Sequence, residues 1–332
     1  MIEPLVASRA GAIERIGHWL LHGGAQIRTG PEAGGVAGWF DESGLPAFAY
    51  PEITGYYLTC LAFMREMGVP DPAVSLNANR AVAWLHQKFC GEAAPPTRCY
   101  RDPAIADWRN DATFSFDLSM IFRGLAVIRG LADERLRQET IDAVRRRLEN
   151  LVSPDGHLLP CLTHDGRSVP YRWSTRPGPF QLKTAAALLH SGEPLGRDLM
   201  EAALRTFETW QVPFPVGDSP MHATLYGVEG LLLRALGGRA EAFAAARRQY
   251  ELCVEHGASL QSDVAAQLLR AGCLLGGEKR GDLEATVAGF VGESGSVTYT
   301  ARSLRHENTW SAMFSYQALT YCRRSHARQL LC

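Results

Sequence analysis

The sequence contains no apolar run approaching the roughly 20 residues that a membrane-spanning helix needs, and it almost lacks the apolar–polar alternation of half-buried strands. The first absence leaves no place for a transmembrane helix, and the second argues against sheet-based folds. An excess of either charge is missing too. Lys and Arg number 34 against 35 Asp and Glu, a formal net charge of −1, so nucleic acid is not an expected partner. The eight cysteines (Cys60, Cys90, Cys99, Cys161, Cys253, Cys273, Cys322, Cys332) are scattered and include no Cys-x-x-Cys. That usage favours reduced thiols over a disulfide framework. Met1 to Ile16 carries Glu3, Arg9, Glu14 and Arg15 and no apolar core long enough for export. The expectation is a cytoplasmic protein. No Gly-x-x-x-x-Gly-Lys-Ser/Thr, no Gly-x-Gly-x-x-Gly after a strand and no His-Glu-x-x-His occurs, so neither a cofactor nor a metal is expected.

What is present is helical periodicity. With 46% hydrophobic residues the chain has ample material for a core. The pattern predicts helices over 7–22, 52–67, 75–90, 113–130, 133–151, 179–191, 196–210, 221–237, 239–256, 261–275, 279–288 and 308–325. Alternate members differ in character. Those over 113–130, 221–237 and 308–325 are apolar nearly all round, which implies burial on every side. Those between them, such as 133–151 and 239–256, carry a charged face and read as an outer layer. The buried set starts near 52, 113, 179, 221, 261 and 308, at intervals of about 40 to 66 residues, which reads as stacked helical hairpins. No linker or second domain is visible, so residues 1–332 are taken as one unit.

The buried helices begin with polar or aromatic residues. The sharpest start is Tyr50-Pro51-Glu52-Ile53-Thr54-Gly55-Tyr56-Tyr57, with Pro in the first turn and an acid beside it. Together with Gly38-Trp39-Phe40-Asp41, His222-Ala223-Thr224-Leu225-Tyr226-Gly227-Val228-Glu229-Gly230-Leu231 and Asn308-Thr309-Trp310-Ser311-Ala312-Met313-Phe314, this pattern resembles the (α/α)6 toroid of the six-hairpin glycosidase superfamily and of terpenoid-cyclase-like toroids. The resemblance implies an all-α barrel of about twelve helices in two concentric rings, with inner-helix N-termini converging on one mouth. It also implies glycoside hydrolases, unsaturated-glucuronyl hydrolases, polysaccharide lyases or sugar epimerases as the activity class, and fold alone does not choose among them. Long loops over 23–51, 91–112 and 152–178 fit a functional mouth.

Glu52 is the leading acid: a base or a ligand for a hydroxyl, or simply a charge favoured by the helix N-terminus. Asp117 lies in an otherwise apolar helix and so needs a partner; Asp107, Arg109 and Asp111 precede it. Glu52 and Asp117 are the expected acid pair for glycoside hydrolysis across a cavity, with Asp263 and Glu229 competing. His222 and Tyr226, four apart on one face, are candidates to move a proton, with Arg176 steadying a carboxylate. Trp39, Tyr50, Tyr56 and Trp310 offer rings against which sugar faces pack, and Asp263 and Asn308 offer polar contacts. His18 and His22, or His157, His164 and Asp165, are the weak metal alternatives, and Cys60 or Cys161 beside His157 or His222 the weak thiol ones. The Asp-rich motif of ionising terpene chemistry is missing. The chain therefore reads as an enzyme acting on a small-molecule or oligosaccharide substrate by hydrolysis, elimination or epimerisation. A cyclase or acyl-type transferase on the same toroid, or a non-catalytic helical scaffold, are its rivals.

Overall fold

A computed structural model describes residues 3–91, 95–207, 218–256, 261–277, 280–300 and 306–323. Twelve α-helices occur among them: α1 Glu3–His22, α2 Pro51–Glu66, α3 Ala73–Phe89, α4 Ser115–Val127, α5 Glu134–Glu149, α6 Phe180–His190, α7 Leu195–Phe207, α8 Asp218–Leu236, α9 Glu241–His256, α10 Ser262–Leu275, α11 Arg280–Gly289 and α12 Thr309–Tyr321. The expected extensions of helices to 210 and 325, and Cys332, lie outside the described residues. Helix starts follow local chemistry. Pro51 stands in the first turn of α2 behind an extended Tyr50, where its missing N–H costs nothing. The side chains of Asp133 and Asn308 accept from the backbone N–H groups of Leu136 and Ser311, capping α5 and α12. Gly276, at φ +74°, ends α10 in the left-handed conformation.

The even-numbered helices form a closed ring. α2 packs on α4, α4 on α6, α6 on α8, α8 on α10, α10 on α12, and α12 returns to α2. Each is backed by its successor, α3, α5, α7, α9 or α11, and α1 backs α12, so the N-terminal helix supplies the sixth outer member. Burial explains the two layers. Residues Pro51 to Met64 of α2 are all buried, whereas α5 buries one stripe containing Ile141, Val144 and Leu148. This is an all-α (α/α)6 toroid. Among the described residues no helix is long and apolar enough to cross a membrane.

Short strands, not foreseen from periodicity, tie the long loops over one end of the ring. β1 Phe48–Ala49 pairs antiparallel with β2 Cys99–Tyr100, and β3 Ala112–Phe114 with β4 Cys161–Thr163. A bridge joins Trp39 to Asn308. Cys273 and Cys322, expected as thiols, form a disulfide between α10 and the end of α12, with Cα atoms 5.7 Å apart. The packing of α10 on α12 brings these two, 49 residues apart in sequence, within bridging distance.

α2 and α4 approach closely through glycines. A Cβ added at Gly55 would stand 2.6 Å from Ile121 Cα, and one at Gly124 would strike the Gly55 carbonyl oxygen. Gly55→Ala must therefore push two buried helices apart. We expect a loss of roughly 1–3 kcal/mol in denaturant unfolding; an unchanged midpoint would mean that the two backbones do not approach this closely.

Candidate active site

The starts of the inner helices surround a cavity of about 460 Å³, a size suited to a small ligand. Trp39, Trp173, Trp310, Tyr299, Phe114 and Phe116 supply aromatic walls. Glu52 and Ile53 reach it from α2, Phe116 and Asp117 from α4, His222 and Tyr226 from α8, Asp263 from α10 and Trp310 from α12. The convergence follows from hairpin geometry: if every inner helix runs the same way, all their first turns share one end.

Glu52 and Asp117 hydrogen bond to one another, and Glu52 also bonds Tyr50. Burial pushes the Glu52 carboxyl up to about 7 despite the hydrogen bond from Tyr50 and the charges of Lys183 and Arg98. Burial also raises Asp117 well above its ordinary value; the charge of Glu52 adds to this, against the pull of Arg98 and Arg109. Two adjacent carboxyls cannot both ionise cheaply, so protonation of the pair is favoured. The pair therefore sits together at one side of the cavity and does not span it, contrary to the expectation from sequence. Burial, then the charges of Asp117 and Glu52, keep the Tyr50 phenol protonated, as a donor to Glu52.

Two arginines act on this pair. Arg98 lies over Phe48, Trp39 and Tyr50, at 4.7, 5.3 and 5.6 Å from the ring centres. Asp107 holds Arg98 and Arg109, each at 3.2 Å. Burial would raise the Asp107 carboxyl, but the Arg109 backbone N–H, the Tyr100 hydroxyl and Arg98 outweigh it and keep it low. Asp111, close to these in sequence, is exposed.

The other wall is an imidazole–carboxylate unit. His222 Nδ1 lies 2.6 Å from Gln267 Oε1 and 3.9 Å from Asp263 Oδ2. Asp263 accepts from Trp310 Nε1 at 3.0 Å and from its neighbour's backbone at 2.8 Å. His222 stacks edge-on to Tyr226, centroids 4.4 Å apart, with Trp173 at 5.9 Å. In a closed ring of six, α8 stands opposite α2, and α10 opposite α4. The two units thus face each other across the mouth.

Beneath the floor, Tyr56 bonds Tyr226 and receives Lys183 Nζ at 3.3 Å. Lys183 Nζ also meets Glu229 at 2.7 Å, and the Arg270 guanidinium meets the same carboxylate. Burial alone would raise Glu229; Arg270 and Lys183 outweigh it and hold it ionised. Glu229 is therefore a partner in a buried ion cluster and does not line the cavity. Tyr56 is likewise buried below it, and Asn308 is a buried cap. Arg176 is exposed, with its guanidinium over Tyr171 at 5.6 Å. The short helical turn Trp173–Thr175 redirects the loop, so Arg172, Trp173 and Ser174 line the cavity and Arg176 does not.

Sequence reasoning missed Arg98, His306 and Lys183. Lys183 carries the signal that flagged Asp117, a charge inside an apolar helix. Arg98 and His306 sit in loops, where periodicity is silent. His306 packs edge-on to Trp39 at 5.2 Å, its Nε2 is buried with no partner among the described residues, and burial holds its imidazole below the usual range. The weaker alternatives are accounted for otherwise: His22 pairs with Asp71 at 2.6 Å, His164 bonds Thr113 at 3.1 Å, Asp165 pairs with Arg167, and Cys60 is fully buried.

No family model matches the sequence, and no curated protein does. Among solved structures, the chain is similar to a cellobiose 2-epimerase from Spirochaeta thermophila DSM 6192, with 17% identity, a TM-score of 0.69 and 97% of each chain covered. It is also similar to an unsaturated glucuronyl hydrolase specific for heparin, with 11% identity, TM-score 0.66 and coverage of 95% of this chain and 96% of that one. A D-mannose isomerase gives 11%, 0.66 and coverage of 96% and 97%. At such identities the likeness is one of fold: the six-hairpin (α/α)6 toroid.

A raised Glu52 makes stability depend on pH. The folded protein keeps a proton that the unfolded chain releases between about 4.5 and about 7. This contribution is full below the ordinary value and lost as pH rises through the folded one. Glu52→Gln should remove the Glu52 share of this dependence and leave that of the still-buried Asp117. Measured at about pH 5 and about pH 8, the wild type should lose up to about 3 kcal/mol relative to the variant. A constant difference would show that Glu52 ionises normally.

Proposed function

We propose that this protein is a carbohydrate-active enzyme, that residues 1–332 form one toroidal domain, and that the mouth cavity is its active site. The observation that carries this reading is the facing of two proton-handling units. A protonated carboxyl pair, Glu52–Asp117, stands on α2 and α4, and the His222–Asp263 unit stands on the opposed α8 and α10. An acid on one side and a base on the other is what cleavage of a glycosidic bond by water requires. The protonated member of the pair gives its proton to the leaving oxygen, and His222, beside Asp263, takes one from the attacking water. Trp39, Trp173 and Trp310 offer faces for sugar rings. Arg98, Arg109 and Arg172 add cationic contacts at the rim for hydroxyl or carboxylate oxygens. Tyr226 and Tyr56 back the floor, and Asn308 holds the loop carrying Trp39. Support also comes from the names of the similar structures, which describe action on glucuronyl-containing saccharides, cellobiose and mannose.

A second reading, epimerisation or isomerisation, draws on His306. A neutral imidazole lining the same cavity, its Nε2 without a partner among the described residues, is suited to exchanging a proton with a sugar carbon.

Isotope tracing separates the two. Saccharides of the kinds just named are incubated with the protein in H2(18O) and in D2O. Hydrolysis places 18O in the released sugar; epimerisation places carbon-bound deuterium. Glu52→Gln and Asp117→Asn should each lower kcat by about 10²- to 10⁴-fold. Turnover confined to isoprenoid or acyl substrates, or turnover indifferent to both substitutions, would overturn the proposal.

A further inference from the structure

We infer that Gln267 is a positioning residue that fixes His222 as the tautomer with its proton on Nδ1, leaving the Nε2 lone pair for the cavity. Its functional meaning rests on the proposed role of His222 as a base; the chain of contacts behind it stands by itself.

Those contacts run outward from the buried ion cluster. Glu229, on α8, is 1% exposed and clasped by Lys183 and Arg270. Held ionised between two cations, its oxygens accept hydrogen bonds and donate none. Gln267, fully buried on α10, has its amide nitrogen 3.4 Å from Glu229 Oε1. The reverse orientation would press the amide oxygen against a carboxylate, leaving two buried acceptors face to face, which is unfavourable. The amide oxygen is thereby directed to His222 Nδ1, 2.6 Å away. That oxygen only accepts, so Nδ1 carries the hydrogen. In the neutral ring Nε2 is then bare. No described residue bonds it, and the ring lines the cavity.

The remaining groups around the imidazole agree with this state. Asp263 Oδ2, from α10, stands on the Nδ1 side at 3.9 Å. Tyr226, from the same helix as His222, and Trp173, from the loop before α6, present rings. Lys183 and Arg270 lie behind Glu229. Free histidine in water favours the other tautomer. The relay from Glu229 through Gln267 therefore reverses the intrinsic preference of the ring and orients its basic nitrogen.

Heteronuclear NMR on the full-length, histidine-labelled protein reads the tautomer without any substrate. The His222 signals are assigned by their loss in His222→Gln. At alkaline pH the wild type should show a protonated Nδ1 and a bare Nε2. Gln267→Leu should move the population toward Nε2–H and lower kcat/KM about 10²-fold, mostly in kcat. Gln267→Glu, protonated between Glu229 and His222, can donate to one and accept from the other, and should restore the wild-type signature. A wild-type protein with Nε2–H, or a Gln267→Leu variant that keeps Nδ1–H, would overturn the inference. If Gln267→Leu does not fold, the wild-type tautomer and Gln267→Glu decide. Since the readout needs no turnover, failure of the saccharide reading and failure of this relay are distinct results.

Discussion

The toroid is organised around one buried carboxylate. Glu229 lies below the mouth, and its partners arrive from different inner helices: Lys183 from α6, and Arg270 and Gln267 from α10. Arg270 reaches on to Gln317 of α12 at 2.8 Å, and Lys183 to Tyr56 of α2 at 3.3 Å. Five of the six inner helices are thus tied by groups that cannot be left buried without partners. The cations also lie over aromatic faces, Lys183 at 4.5 Å from the Tyr226 ring and Arg270 at 4.4 Å from Phe314. Such a cluster adds geometric definition more than net stability: removing one partner strands a charge, and few arrangements satisfy them all.

The mouth depends on that floor. Lys183 acts on Glu52 through space, and with Arg98 it offsets part of the desolvation that raises this carboxyl. The balance still leaves Glu52 and Asp117 both raised, chiefly by burial. On the facing wall the same cluster reaches His222 through Gln267. Both walls of the cavity are therefore reached from the same cluster, although their side chains come from helices that begin far apart in sequence. The loops finish the site. Two-stranded pairings and the Trp39–Asn308 bridge hold Arg98, Trp39 and His306 over the helix starts, where water would otherwise screen the charges.

Periodicity alone revealed the helices and their two layers, because burial on one face or on all faces is written directly into residue order. The chain positions of Glu52, Asp117, His222, Tyr226, Asp263 and Trp310 near inner-helix starts were legible for the same reason, as was the convergence of those starts once alternation was recognised. Arg98, His306 and Arg172 were not, since loop residues carry no period that says which way they face. Arg176 shows the consequence: it has the right chemistry four residues from Arg172, yet lies beyond the turn that separates cavity from solvent.

Pairing is what the tertiary structure decided. That Glu52 touches Asp117, that Glu229 belongs to Lys183 and Arg270, and that Cys273 meets Cys322 are all consequences of packing neighbouring inner helices side by side. That packing sets distances between residues tens of positions apart, and no local pattern encodes them. The amino-acid order determined which segments are helical, which faces are buried and which ends carry polar groups. Whether a buried acid joins a carboxyl pair that favours a proton or becomes one partner in an ion cluster depended on its neighbours in space, because desolvation and Coulomb energies act over a few ångströms and not along the chain.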